Sequence, residues 1–200
     1  MKGLLLKDLY VLVKQMRVFL FGVLIFAVIP GSNMTIFAVV YAAMMPYTAL
    51  AYDERSHWDQ LAGMMPYSIK DLVLSKYVLG WLFTAGAAAL SIIASILESH
   101  FIPNAGSPLS GALAFCVGVI TMAITLPPMF RFGVEKGRMI FILLVVVIAC
   151  GSAGLLSETV QSPSSLAILP LLELALPVAA VVLSVASVWL SIRLYAKQHR

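Results

Sequence analysis

All 13 lysines and arginines of this 200-residue chain fall into four short stretches, and pairs of apolar runs separate one stretch from the next. Lys2, Lys7, Lys14 and Arg17 precede the first run; Arg55, Lys70 and Lys76 lie between the second and third; Arg131, Lys136 and Arg138 lie between the fourth and fifth; Arg193, Lys197 and Arg200 follow the last. The connections at 30–33, 98–108 and 157–167 carry no basic residue. Six membrane crossings place every basic residue on one side, which the positive-inside rule identifies as the cytoplasm, whereas five crossings would split them between the two sides. Composition agrees: 62% of residues are hydrophobic and 11% charged, against roughly 45–50% and about 25% in a soluble domain. So little charge cannot cover a water-facing surface, and a mean hydropathy of +1.01 points the same way. The net charge of +4 therefore reads as attraction to a membrane surface and not to nucleic acid.

The expected architecture is an all-α membrane protein forming one domain over residues 1–200, with spans at about 14–30, 34–52, 76–97, 109–130, 139–156 and 168–194. Residues 1–17 place Leu5, Leu9, Leu12 and Met16 on one helical face, with Lys7 and Lys14 on another. That pattern predicts an amphipathic helix lying in the membrane interface; the bland alternative is that it simply begins the first span with its lysines snorkelling. Val18–Ile29 is too short to cross unaided, at about 18 Å as a helix, so either the first span begins near Val11–Lys14 or the bilayer thins locally. The same run has the length of a signal-peptide core, yet Ala27-Val28-Ile29-Pro30 is no cleavage pattern, and an uncleaved multi-pass chain is expected. Arg131–Arg138 reads as a tight charged loop.

No catalytic constellation emerges. The chain has no G-x-x-x-x-G-K-[ST] phosphate loop, no G-x-S-x-G elbow and no H-E-x-x-H. His57, His100 and His199 are scattered over different loops, and Cys116 and Cys150 sit in apolar runs as packing residues. No cofactor or metal of the chain's own is expected. Glu173 is the one acid inside an apolar run; it is either a solvated residue near the outer interface or a lining residue of a translocation path. Gly86-Ala87-Ala88-Ala89, Ala114 with Gly118, and Gly151 with Gly154 serve close helix approach, within one chain or between two copies.

The most informative segment is the second cytoplasmic loop, residues 53–75. Asp53 reads as an N-cap, Glu54 to about Ala62 as a short helix with Trp58 and Leu61 on one face, and Gly63 as its stop. A Met64-Met65-Pro66 turn follows, and Ser68-x-x-Asp71 has the form of a capping box opening the third span. Such a helix, carrying an aromatic anchor, either docks a partner or lies on the membrane surface.

At these residues the chain resembles a known family. The opening Met-Lys-Gly-Leu-Leu-Leu-Lys-Asp-Leu, the segment Tyr52-Asp53-Glu54-Arg55-Ser56-His57-Trp58-Asp59 with Met65-Pro66-Tyr67-Ser68, then Leu74-Ser75-Lys76-Tyr77 and Phe132-Gly133-Val134-Glu135-Lys136-Gly137-Arg138, are similar to small permeases of ABC-2 type transporters from Gram-positive bacteria, notably exporters of amphipathic peptides such as phenol-soluble modulins and some bacteriocins. The likeness covers roughly residues 1–140; Tyr67 stands where the family favours a smaller residue. The resemblance implies a permease in the plasma membrane with both termini cytoplasmic. It implies two copies of a separate ABC ATPase that bind the ATP and Mg, and a second permease chain, identical or paralogous. It also implies a coupling helix formed by Asp53, Glu54, Arg55, His57, Trp58, Asp59, Leu61, Met65 and Pro66, and amphipathic cargo moved outward. The rival expectation is a self-contained membrane protein, such as a channel, an immunity protein or an anchor, that needs no ATPase.

Overall fold

A computed structural model describes residues 2–15, 17–28, 32–64, 68–101, 108–159 and 169–198, and among them every regular element is helical. In chain order these are α1 (Lys2–Gln15), α2 (Arg17–Val28), α3 (Ser32–Ala42), α4 (Met45–Arg55), α5 (Trp58–Met64), α6 (Ile69–Phe101), α7 (Pro108–Phe132), α8 (Val134–Thr159) and α9 (Leu169–Gln198). Among the described residues, four stretches are long and apolar enough to cross a membrane: Thr35–Arg55, Ile69–Leu97, Gly111–Phe132 and Ala175–Lys197. They fall on four of the six expected spans.

Thr35–Arg55 combines α3 and α4 across a short turn at Ala43 and Met44. Pro46, in the first turn of α4, lacks an N–H and cannot bond back to the carbonyl one turn earlier. The ladder tightens there, with Met44 N–H donating to Tyr41 O at 3.1 Å. α7 is the central element and packs against α3, α6, α8 and α9. Its side chains Met122, Leu126, Met129 and Phe130 form one core with Tyr47, Val73, Tyr77, Phe141 and Tyr195. A second core joins Leu12 of α1 to Val39, Met45, Ala49, Leu79 and Ala114.

Hydroxyls tie the helices together where apolar packing alone would let them slide. Tyr77 of α6 meets Ser187 and Ser191 of α9 at 2.5 and 2.8 Å. Tyr47 of α4 bonds the hydroxyl of Thr125 on α7. Thr84, Ser91, Ser95, Thr121 and Thr125 satisfy themselves on carbonyls one turn back, which makes them tolerable inside apolar helices. Elsewhere the helices turn apolar side chains outward, including Ile142, Leu143 and Val147 on α8 and Val181, Val182 and Val185 on α9, as a lipid-facing surface requires.

Three expectations about local structure change. The helix carrying the third expected span opens where the Ser68-x-x-Asp71 box predicts: α6 starts at Ile69 and runs 33 residues, roughly 50 Å, so Lys76 lies within it and not in a loop. The charge of Lys76, which reads as a loop residue, is neutralised inside the protein. The connection at 131–138 is not a loop. α7 ends at Phe132, Gly133 takes φ +83°, and α8 begins at Val134, so Arg131, Lys136 and Arg138 are exposed on helix ends. Only a residue without a side chain adopts that conformation cheaply, and Gly133 N–H closes the helix by donating to Met129 O at 3.1 Å. Finally, the buried face of α1 centres on Leu4, Asp8 and Leu12, with Leu5 and Leu9 half-buried beside it; Met16 lies outside the described residues. An acid sits in the middle of this face because it has a buried partner.

Among the small residues, Gly118 and Ala114 pack within the chain. A Cβ on Gly118 would lie 2.7 Å from Val39 Cγ1. Gly86 and Gly151 face open space, and the surroundings of Gly154 lie outside the described residues.

Candidate functional site

The chemistry of this chain gathers where α1, α4, α5, α6 and α8 converge. Asp53 does not cap a new helix; it lies in the last turn of α4, which continues to Arg55. Its carboxylate turns inward to Lys76 and Lys7. Lys76 Nζ donates to Asp53 Oδ2 at 2.5 Å and to Asp8 Oδ2 at 2.7 Å. Lys7 Nζ bonds Asp53 Oδ1 and lies 3.4 Å from Asp8 Oδ1. Two ammonium groups and two carboxylates thus form a neutral cluster joining α1, α4 and α6. The side chains of Asp8 and Lys76 are only 3% and 6% exposed. A buried charge is tolerated when it is both paired and hydrogen-bonded, as each of these is.

The neighbouring Glu54 has a different partner. Its Oε2 accepts the Val134 N–H at 2.9 Å. The carboxylate of α4 therefore satisfies an orphan donor at the start of α8, where the helix dipole favours negative charge. Gly133 leaves room for it, since a Cβ there would approach Glu54 Oε1 to 3.0 Å. Asp53, Glu54, Lys76, Gly133 and Val134, with Tyr195, line a pocket of about 110 Å³ at this end of the bundle.

Beyond Arg55, which is exposed, Ser56 and His57 make a turn in which His57 takes φ +52°. Trp58 opens α5, and Lys7 Nζ stands 4.0 Å from its ring centroid. The cation both pairs with Asp53 and caps the indole face, an interaction worth about 0.5–2 kcal/mol. The indole Nε1–H is buried with no hydrogen-bond partner among the described residues. Leu61 and Met64 extend the helix with 49% and 84% of their surface exposed. The short helix expected over 54–62 is thus shifted to Trp58–Met64, because Asp53 and Glu54 are engaged by α1, α6 and α8.

Met65, Pro66, Tyr67 and the side chain of Asp59 lie outside the described residues. So does the side chain of Glu173, whose backbone is in the first turns of α9. Asp71 lies in the first turn of α6, and its N–H donates to Ser68 O at 2.9 Å, as a helix start at Ser68 requires.

Sequence reading singled out Asp53, Glu54 and Trp58 but missed Lys7, Asp8 and Lys76 as their partners. The available signal was Asp8, an acid one turn from Leu4 and Leu12 on what became the buried face of α1. Comparison with known proteins bears on all of these residues at once. The family model described as "ABC-2 family transporter protein" matches residues 3–196. No curated protein and no solved structure matches the chain.

Proposed function

The chain belongs to the ABC-2 transporter family, and on that premise we propose that it is the permease subunit of an ATP-driven exporter whose ATPase docks on α5. It is a multi-pass membrane protein and a transport component by family. ATP and Mg belong to the separate ATPase, present in two copies, and a second permease chain, identical or paralogous, completes the pathway. Six crossings with both termini in the cytoplasm account for the four described spans and for the one-sided distribution of lysine and arginine. The chain then forms a single domain, with α1 along the inner leaflet; its Leu6, Tyr10 and Val13 are exposed on one face, as contact with lipid requires.

The observation that carries the docking role is the setting of α5. Ionic and capping contacts hold the residues just before it on three other helices, while Leu61 and Met64 stand exposed. A rigidly mounted apolar ridge suits a partner's groove. In this scheme closure of the ATPase on ATP pushes α5, the spans shift as rigid bodies, and a path opens outward. The described spans contain few charges, and the buried Lys76 is neutralised, so an apolar path for amphipathic peptides or other hydrophobic cargo fits better than one for ions or sugars. Glu173 near the start of α9 is the candidate polar group along it.

Co-purification of the tagged permease with its candidate ABC ATPase tests the docking role. The ATPase is expected to copurify with the wild type and to be lost with Trp58→Ala plus Asp59→Ala. Equal recovery with the double variant refutes docking at α5. Absence of any ATPase from the wild-type complex in mild detergent favours a self-contained channel or anchor instead.

A further inference from the structure

We propose that Asp53 and Glu54 form a yoke, anchored by Lys76, that carries movement of α5 into the membrane spans; this rests on the docking role of α5. Adjacent carboxylates in the last turn of α4 grip different helices. Asp53 holds Lys7 of α1 and Lys76 of α6, while Glu54 holds the first N–H of α8. Only Ser56 and His57 separate this turn from α5, and the Lys7 ammonium also lies on the Trp58 ring that opens it. A push on α5 therefore reaches α1, α6 and α8 through contacts that begin within one turn of α4.

The chemistry of those contacts suits transmission. Apolar side chains can slide past one another with little change in free energy. A buried ion pair cannot open without leaving an unpaired charge in a low-dielectric interior. With Asp8 and Lys76 almost fully buried, the ends of α1, α4 and α6 are constrained to move as one body.

Lys76 is a positioning residue in this scheme, and its test separates transmission from mere stability. The double variant Lys76→Met/Asp8→Leu removes one positive and one negative charge and leaves the neutral Lys7–Asp53 pair, so it retains a compensated core while untying α6. In the reconstituted permease–ATPase complex, with Cys116 and Cys150 replaced by Ser, spin labels at Leu97 and Val178, both exposed on α6 and α9, report the distance between those spans before and after trapping with ATP and vanadate. The wild type is expected to show an ATP-dependent shift. Lys76→Arg should keep it, and the double variant should lose it while still binding the ATPase and hydrolysing ATP. A double variant that binds ATPase and retains the shift overturns the proposal, as does a wild type that binds ATPase and shows none. A wild type that recruits no ATPase overturns the docking role first, and the yoke with it.

Discussion

Replacing Lys76 by Met keeps the length and bulk of the side chain and deletes its charge. The structure shows what is left behind. Asp8 loses its 2.7 Å partner, Asp53 loses its 2.5 Å partner, and Lys7, whose side chain is 25% exposed, remains as the one cation for two carboxylates. Removing one partner of a buried pair costs about 3–5 kcal/mol, mostly as the penalty of an uncompensated charge. Against a total stability of about 5–15 kcal/mol this is a large fraction. For a chain of this size it corresponds to a fall in Tm of roughly 6–20 °C, at about 2–4 °C per kcal/mol. Thermal unfolding of the purified permease, followed by tryptophan fluorescence at fixed detergent and lipid, measures it. Lys76→Met/Asp8→Leu should recover most of the loss, because it restores neutrality and extends the apolar face of Leu4 and Leu12 through position 8. A single variant within about 2 °C of wild type, below ~1 kcal/mol on the same scale, would refute the electrostatic argument. So would a double variant as unstable as the single one.

The same assay checks five further expectations. Tyr77→Phe removes the hydroxyl shared with Ser187 and Ser191 and should cost about 0.6–1.7 kcal/mol, the range for such bonds between membrane helices. Gly118→Ala should destabilise by about 1–3 kcal/mol, since its Cβ meets the stiff Val39 side chain at 2.7 Å. Gly86→Ala, with nothing within 4 Å, should be neutral or stabilising by up to about 1 kcal/mol through helix propensity. Glu54→Ala uncaps α8 and should cost about 0.5–2 kcal/mol. Gly133→Ala is expected to cost at least about 1–2 kcal/mol, because it forces a side chain into φ +83°. An unchanged melting temperature in either of the last two would refute the capping assignment.

Much of the fold was legible because it rests on local properties. Apolar runs of spanning length and helix-start residues such as Ser68 require no knowledge of the rest of the chain. Four of the expected spans accordingly coincide with described helices. The errors share a cause. In sequence Lys76 and Asp53 read as surface residues, a charged loop position and a helix cap, because charge usually marks water. Arg131–Arg138 reads as a loop for the same reason, although Gly133 alone suffices to separate two helices. The site was therefore legible as a segment and not as a constellation. Asp53, Glu54 and Trp58 stood out by type, but nothing in their neighbourhood named Lys7, Asp8 or Lys76.

Hydropathy and motif spacing are properties of contiguous residues, and they suffice to identify a helical membrane protein of the ABC-2 transporter family. Packing in three dimensions brings Asp8 and Asp53 onto Lys76, from 68 and 23 residues away, and Glu54 onto the start of α8, from 80 residues away. Which charges meet depends on how helices pack and rotate against one another. Buried and solvated charges look alike along a sequence until the fold withdraws some of them from water and requires each to find its partner.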